Sequence, residues 1–245
     1  MSDRAKRHDG QASTLARAGL TDTSRAVGLL DELGVRDVTD ASARELVEAL
    51  GRVADPDQAL LGLVRLAEVL PRSEVEELRR LLLHDGAGRE RLVQVLGGST
   101  ALTDHLVRHP EHWHDLLDAR IDDAETLTAA LQADIDARPD DRTRYDALRI
   151  AYRRQLVRIA AVDLTGDPEA QFPQVAAALA DLAAAALEAA LHIAREEVEG
   201  ADRCRLAIIG MGKCGGRELN YISDVDVIFV AEPAEGADED DALAV

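Results

Sequence analysis

Aromatic side chains are nearly missing from this sequence: two phenylalanines, three tyrosines and one tryptophan make up 2% of its 245 residues. Set against long stretches of Ala, Leu, Val and Arg, that scarcity argues against a β-sandwich or barrel and for a helical array. Cysteine is scarce as well. Cys204 and Cys214 are the only two, which reads as a pair of reduced thiols rather than a disulfide framework and implies no oxidising compartment. Basic charge is short: 28 Lys and Arg face 47 Asp and Glu, a net charge of -19. The surface as a whole therefore repels nucleic-acid phosphates and anionic lipid headgroups. The longest apolar stretch, Val175 to Leu191, is rich in alanine and broken by Asp181 and Glu188, too weak for a membrane span. Residues 1–11 are polar, without an apolar centre or a small-residue cleavage pattern, so no signal peptide is expected. No nucleic acid and no membrane are the expectations for partners, and the expected location is cytoplasmic.

What is present is a hydrophobic content of 47%, enough for a core in a chain of this length. From Thr21 to Arg138 short helix signals alternate with stops. Asp55-Pro56 offers an N-cap followed by proline at the first helical position, and Ser73-Glu74-Val75-Glu76 fits a capping box ahead of Leu78 to Leu83. Gly97-Gly98 closes one helix, and Ser99 caps the next, which runs to His109 before Pro110. No period repeats across these units, so a solenoid is not expected. Two longer helices follow. In Arg142 to Thr165 one face carries Tyr145, Leu148, Tyr152, Leu156 and Ile159, and another carries Ile150, Val157 and Leu164, a pattern for packing from two sides. Pro173 to Glu199 repeats the behaviour with Val175, Leu179, Leu182, Ala186 and Ile193, its alanines permitting close helix approach. Gly200 ends it.

After Gly200 the pattern turns extended. Leu206-Ala207-Ile208-Ile209 suits a buried strand, Gly210 to Gly216 is a glycine-rich loop, Val225 to Val230 is a second strand, and Glu232 to Asp241 reads as an acidic loop. On a strand, residues two apart share a face, so Asp224 and Asp226 project together while Val225 and Val227 enter the core. Adjacent carboxylates repel unless divalent cations sit between them. Mg²⁺, a hard ion favouring carboxylate and phosphate oxygens, suits the pair, and a two-ion centre activates an attacking oxygen while steadying a leaving one. Gly215-Gly216 before Arg217-Glu218-Leu219 reads as a bare turn into a short helix that aims unpaired N–H groups at a phosphate. A Gly-Gly pair shortly before Asp-x-Asp is the signature of polymerase-β-type nucleotidyltransferases.

The run Gly210-Met-Gly-Lys-Cys-Gly-Gly-Arg-Glu-Leu-Asn-Tyr-Ile-Ser-Asp-Val-Asp226 resembles the glutamine synthetase adenylyltransferases, in which G-M-G-K-x-G-G-x-E-L-x-x-x-S-D-x-D opens each of two nucleotidyltransferase domains. Leu106-Val-Arg-His-Pro-Glu111 is similar to the family's helical "RHPE" segment, and Leu148 to Leu164 to its "RxxLxRIAxxDL" helix. The likeness runs from about Gly98 to Val230, and order along the chain points to the N-terminal of the two domains. The resemblance implies a domain that removes AMP from an adenylylated tyrosine of glutamine synthetase by phosphorolysis, yielding ADP; the second domain attaches AMP from ATP. It implies Asp224 and Asp226 as catalytic metal ligands and Gly215, Gly216, Ser223 and Lys213 at the phosphate site. It further implies Mg²⁺ as cofactor, glutamine synthetase, ATP or ADP and phosphate as partners, and a PII-type signalling protein through other regions. Cys214 stands where the family often has leucine, a change a small thiol accommodates. The resemblance also implies a third carboxylate, expected on a later strand beyond Val245.

The expected fold is therefore mainly α. Residues 1–139 form an N-terminal helical region, and residues 140–245 carry helices leading into the truncated start of an α/β nucleotidyltransferase domain. By itself the chain is expected to be catalytically silent. The alternatives are a separate nucleotidyltransferase acting on another protein or a small molecule, and a non-catalytic helical docking module.

Other residues carry blander readings beside functional ones. Lys213, one of two lysines with Lys6, either meets a phosphate as a point charge or is an exposed loop residue. Glu218 either orients a metal-bound water or sits at a helix start. His105, His109, His112 and His114 cluster, but Pro110 interrupts their helix and no Glu follows His105, which disfavours a zinc site. Arginines 142, 149 and 153 fall on one face and 144, 154 and 158 on the opposite one, as ion-pair partners rather than a nucleic-acid patch. Cys204 reads as a strand-edge residue.

Overall fold

The computed structural model describes residues 3–137, 141–238 and 240. Its order is a run of helices, then a two-stranded antiparallel sheet, so the mainly α expectation holds. Two compact units divide the chain: residues 1–119 with 160–166, and residues 120–159 with 167–245.

The first unit holds α1 (Asp3–Arg17), α2 (Thr23–Glu32), α3 (Ala41–Leu50), α4 (Pro56–Val69), α5 (Arg72–His84), α6 (Gly86–Gly98), α7 (Thr100–Arg108) and a 3₁₀ helix, Pro110–Leu116. The starts are set by short acceptors. Asp22, Asp40, Asp55, Asp85 and Ser99 each accept a hydrogen bond from a backbone N–H of the turn they open, a contact whose loss to alanine costs roughly 1 kcal/mol per helix. The Asp55-Pro56 and Ser99 caps are as expected. Ser73 is a correction: α5 begins at Arg72 behind Pro71, with no side-chain cap. The carbonyl of Pro71 already accepts from the Glu74 and Val75 N–H groups, so Ser73 lies inside the first turn. The core is leucine-built, with Leu46, Leu60, Leu63, Leu66, Leu92 and Leu96 all buried, as is Trp113. Backbone contact is tight at Gly97, where a Cβ would lie 2.6 Å from Val53 Cγ2.

In the second unit α8 (Ala124–Asp136), α9 (Asp141–Thr165) and α10 (Pro168–Glu197) precede a short 3₁₀ turn (Ala201–Arg203), β1 (Cys204–Gly210), the one-turn α11 (Gly212–Gly215) and β2 (Val227–Pro233). The end of α9, residues 160–166, counts with the first unit. Leu127, Leu131 and Ile135 of α8 pack with Val175, Leu179, Leu182 and Ile193 of α10, and Tyr145, Leu148, Tyr152 and Leu156 line the same core. The second stripe of α9 is only partly enclosed: Val157 is buried, but Leu164 is 40% exposed. α10 starts earlier than Pro173, because Asp167 caps Glu169 and Ala170 and Pro168 takes the first position. Pro173 is then carried inside the helix, at the loss of one backbone donor. By length and composition α10 is apolar enough to cross a membrane, a stronger stretch than the sequence suggested. In the fold its alanine-rich face lies in the core of the second unit. Gly200 closes the segment with φ +81°.

The sheet corrects two further expectations. β1 alternates half-buried and exposed residues and is nowhere fully buried, with Ile209 46% exposed. β2 begins at Val227 and runs through Glu232 to Pro233, so Val225, 38% exposed, is not a core residue. Pairing runs from Cys204↔Pro233 to Gly210↔Val227.

Candidate functional site

The glycine segment turns the chain off the end of β1. The Met211 N–H donates to Asp226 O at 2.8 Å, carrying the pairing one bond past Gly210↔Val227. Gly212 then takes φ +53°, a left-handed value glycine adopts without steric cost, and α11 follows. α11 lies so close to the end of β1 that a Cβ on Gly215 would sit 2.3 Å from Gly210 O. A side chain there forces the turn away from the strand. Cys214 and Leu219 are buried in the core built on α10. Tyr152 of α9 is near by: burial pushes its phenol up, and the Cys214 thiol adds to the rise.

This geometry revises the expected phosphate turn. The helix precedes Gly216 instead of following it, and residues 218–220 are not helical. The N–H groups of Gly215 and Gly216 donate to Met211 O and Gly212 O at 3.0 and 2.9 Å, so they close the turn and are not aimed outward. Glu218 is no helix-start carboxylate; its N–H donates to Lys213 O at 2.8 Å, and its side chain is exposed. Lys213 is exposed on α11.

Asp226 is brought to the loop from the other side. A Cβ on Gly212 would lie 3.7 Å from Asp226 Oδ2, ordinary contact distance, so the carboxylate lies beside the turn. Asp224 and Asp226 are both exposed, in the segment just ahead of β2 rather than on it. Strand pairing stops there because its partner, β1, ends at Gly210. Ser223 Oγ is hydrogen-bonded to Asn220 Oδ1, and among the described residues no hydrogen bond or ion pair ties Ser223 or Asp224 to the glycine loop. Two exposed carboxylates are hard oxygen donors of the kind Mg²⁺ takes, one or two at a time, together with substrate phosphates. No group of three or more His, Cys, Asp or Glu among the described residues is arranged to hold a metal ion.

The histidines resolve as packing. His105 Nε2 and His112 Nδ1 share a hydrogen bond of 3.0 Å, both residues are buried, and the His105, His109 and His112 rings lie 5.0 to 5.6 Å apart. Among the arginines of α9, Arg144 pairs with Glu196, Arg149 with Asp146 and Arg158 with Asp122. The side chain of Arg142 lies outside those described. Sequence reasoning missed two participants. Gly212 was read only as part of a glycine run, and Asp181, noted as a break in an apolar stretch, forms a bidentate ion pair with Arg217. An acidic residue amid alanines was the signal available.

Comparison with known proteins adds a family. A family model described as glutamate-ammonia ligase adenylyltransferase matches residues 89–244. Over 239 residues, 97% of this chain, the sequence is 47% identical to the bifunctional glutamine synthetase adenylyltransferase/adenylyl-removing enzyme of Streptomyces avermitilis, of which it covers 23%. The enzyme of the same name from Mycolicibacterium smegmatis is 45% identical over 240 residues, 94% of this chain and 23% of its own length. That of Bifidobacterium longum is 39% identical over 241 residues, 90% and 22%. The chain thus spans less than a quarter of these relatives' length. No solved structure matches.

Proposed function

This chain belongs to the glutamate-ammonia ligase adenylyltransferase family, and from that premise we propose that residues 204–233 carry the nucleotide end of an adenylyl-removing site acting on glutamine synthetase. The observation that carries this reading is the seating of Asp226 against the glycine loop, through the Met211 N–H bond and the nearness of its carboxylate to Gly212. The loop lets a phosphate come close to backbone, since Gly212, Gly215 and Gly216 present no side chains. Lys213, exposed on the same turn, offers a point charge to that phosphate. Asp224 and Asp226 would hold Mg²⁺, which when bound supplies positive charge for phosphate oxygens. In this reading AMP leaves its tyrosine for inorganic phosphate, forming ADP; glutamine synthetase, phosphate and ADP are the partners, and the setting is cytoplasmic. A PII-type regulator would act through regions of the relatives that this chain does not span.

The test is phosphate-dependent release of AMP from adenylylated glutamine synthetase by this chain extended to the length of its relatives. Asp226→Asn keeps the side-chain shape and removes the charge, and a fall of at least roughly 100-fold is expected. Release at the wild-type rate by that variant refutes the assignment. Residues 1–245 alone should form no ADP above background, because two carboxylates without further ligands do not fix a two-ion centre; robust turnover would show the site to be complete.

A further inference from the structure

Arg217 is the only non-glycine among the described residues with a positive φ, +58°, a conformation in which the Cβ of an L-residue crowds its own carbonyl. The structure pairs that strain with a clamp. Both terminal nitrogens of Arg217 reach both carboxylate oxygens of Asp181 on α10, Nη2 to Oδ2 at 2.8 Å. The Asp181 side chain is only 13% exposed, flanked along α10 by buried Ala180 and Leu182. A planar fork meeting a carboxylate in this way fixes direction as well as distance. On either side of Arg217 the chain is seated in the same core by Cys214 and Leu219. The segment that holds both, residues 211–219, also carries Met211, whose N–H donates to Asp226 O, and Gly212, which lies beside Asp226 Oδ2.

We propose that Asp181 is a positioning residue: by holding Arg217 in its left-handed conformation it fixes the glycine loop on α10, and through the loop the place of the Asp226 carboxylate. A connected route leads from α10 to Asp226, by ion pair, turn and backbone hydrogen bond. Asp181 itself touches no reacting group. That Asp226 is a metal ligand rests on the reading given above; the clamp does not.

The experiment is residue-resolved amide exchange on residues 1–245, wild type against Asp181→Asn, Arg217→Ala and Arg217→Gly. Losing a charge-assisted pair should speed exchange across 211–219 roughly tenfold in Asp181→Asn, with α4 and α6 unchanged. Arg217→Ala keeps the strain and loses the pair, whereas glycine accepts the backbone angle freely, so the Ala variant should be several-fold looser than the Gly variant. Mn²⁺ line broadening at the Gly212 and Asp226 amides supplies a functional readout and should weaken in Asp181→Asn. Wild-type exchange in Asp181→Asn overturns the clamp, and equal loosening in the Ala and Gly variants overturns the part assigned to strain. Broadening that survives Asp226→Asn overturns the metal reading alone, leaving the clamp to be judged by exchange.

Discussion

The helical first unit and the strand segment 204–233 treat apolar side chains in opposite ways. In the former, Leu46, Leu63, Leu92 and Trp113 are completely buried. In the latter, Phe229 is 62% and Ile222 95% exposed, and Ile209, Ile228 and Val230 are each close to half exposed. Each helix buries a stripe against its neighbours, so the array closes on itself and its stability is set locally. A two-stranded sheet has two faces and two edges, and the buried residues of this segment are Cys214 and Leu219, in its loop and not on its strands. The lesson is that site geometry and stability are separable in this chain. The loop is closed by glycines and local backbone bonds, while the completely buried apolar side chains lie upstream.

The most forceful attack on this contrast is Trp113→Ala. Trp113 is fully buried and its indole N–H donates to Glu74 at 3.3 Å, so the first unit should lose about 3–5 kcal/mol in chemical denaturation. An overpacked rather than emptied site gives the next largest effect. In Gly97→Ala the new methyl meets Val53 at 2.6 Å and Asp55 O at 3.1 Å, with an expected cost of about 1–3 kcal/mol. Gly215→Ala sharpens the comparison, since its methyl would press on Gly210 O at 2.3 Å. Amide exchange should rise across residues 210–219 and stay at wild type in α4 and α6; a global loss of protection would show the two regions to be coupled.

A smaller effect depends on pH. The hydrogen bond from Arg52, 2.6 Å from Glu90 Oε2, holds the Glu90 carboxyl below its ordinary 4.5. A depressed folded value means the pair stabilises above pH about 4.5 and that this contribution fades as pH falls through the lowered value. Arg52 is half exposed, so the gain is under about 1 kcal/mol. Glu90→Gln should flatten the acid limb of the urea midpoint by that much, with no change in the strand segment. Smallest of all is Phe229→Ser. An exposed ring contributes little to folding, and a shift within about 0.5 kcal/mol is expected; a large loss would mean that the sheet is covered after all.

Helix existence was legible from residues 21–137 because caps and periodicity are local. Asp55-Pro56 and Ser99 act within one turn of themselves, whereas Ser73 failed as a cap because Pro71, two residues earlier, had already taken the helix start. The motif was legible by type: glycine-rich loop, paired aspartates and the apolar runs around them. Its hydrogen bonding was not. Sequence placed the Gly215 and Gly216 N–H groups outward, but the turn runs through Gly212 and uses both of them internally.

By itself the sequence determined the mainly α class and the helix starts at Asp55-Pro56 and Ser99, since each rests on near neighbours in the chain. Tertiary structure alone decided that Asp181 meets Arg217, 36 residues away, that β2 starts at Val227 where β1 has a partner to offer, and that His105 bonds His112. Those outcomes depend on which surfaces are brought together, a quantity that residue spacing does not encode until the backbone has chosen its path.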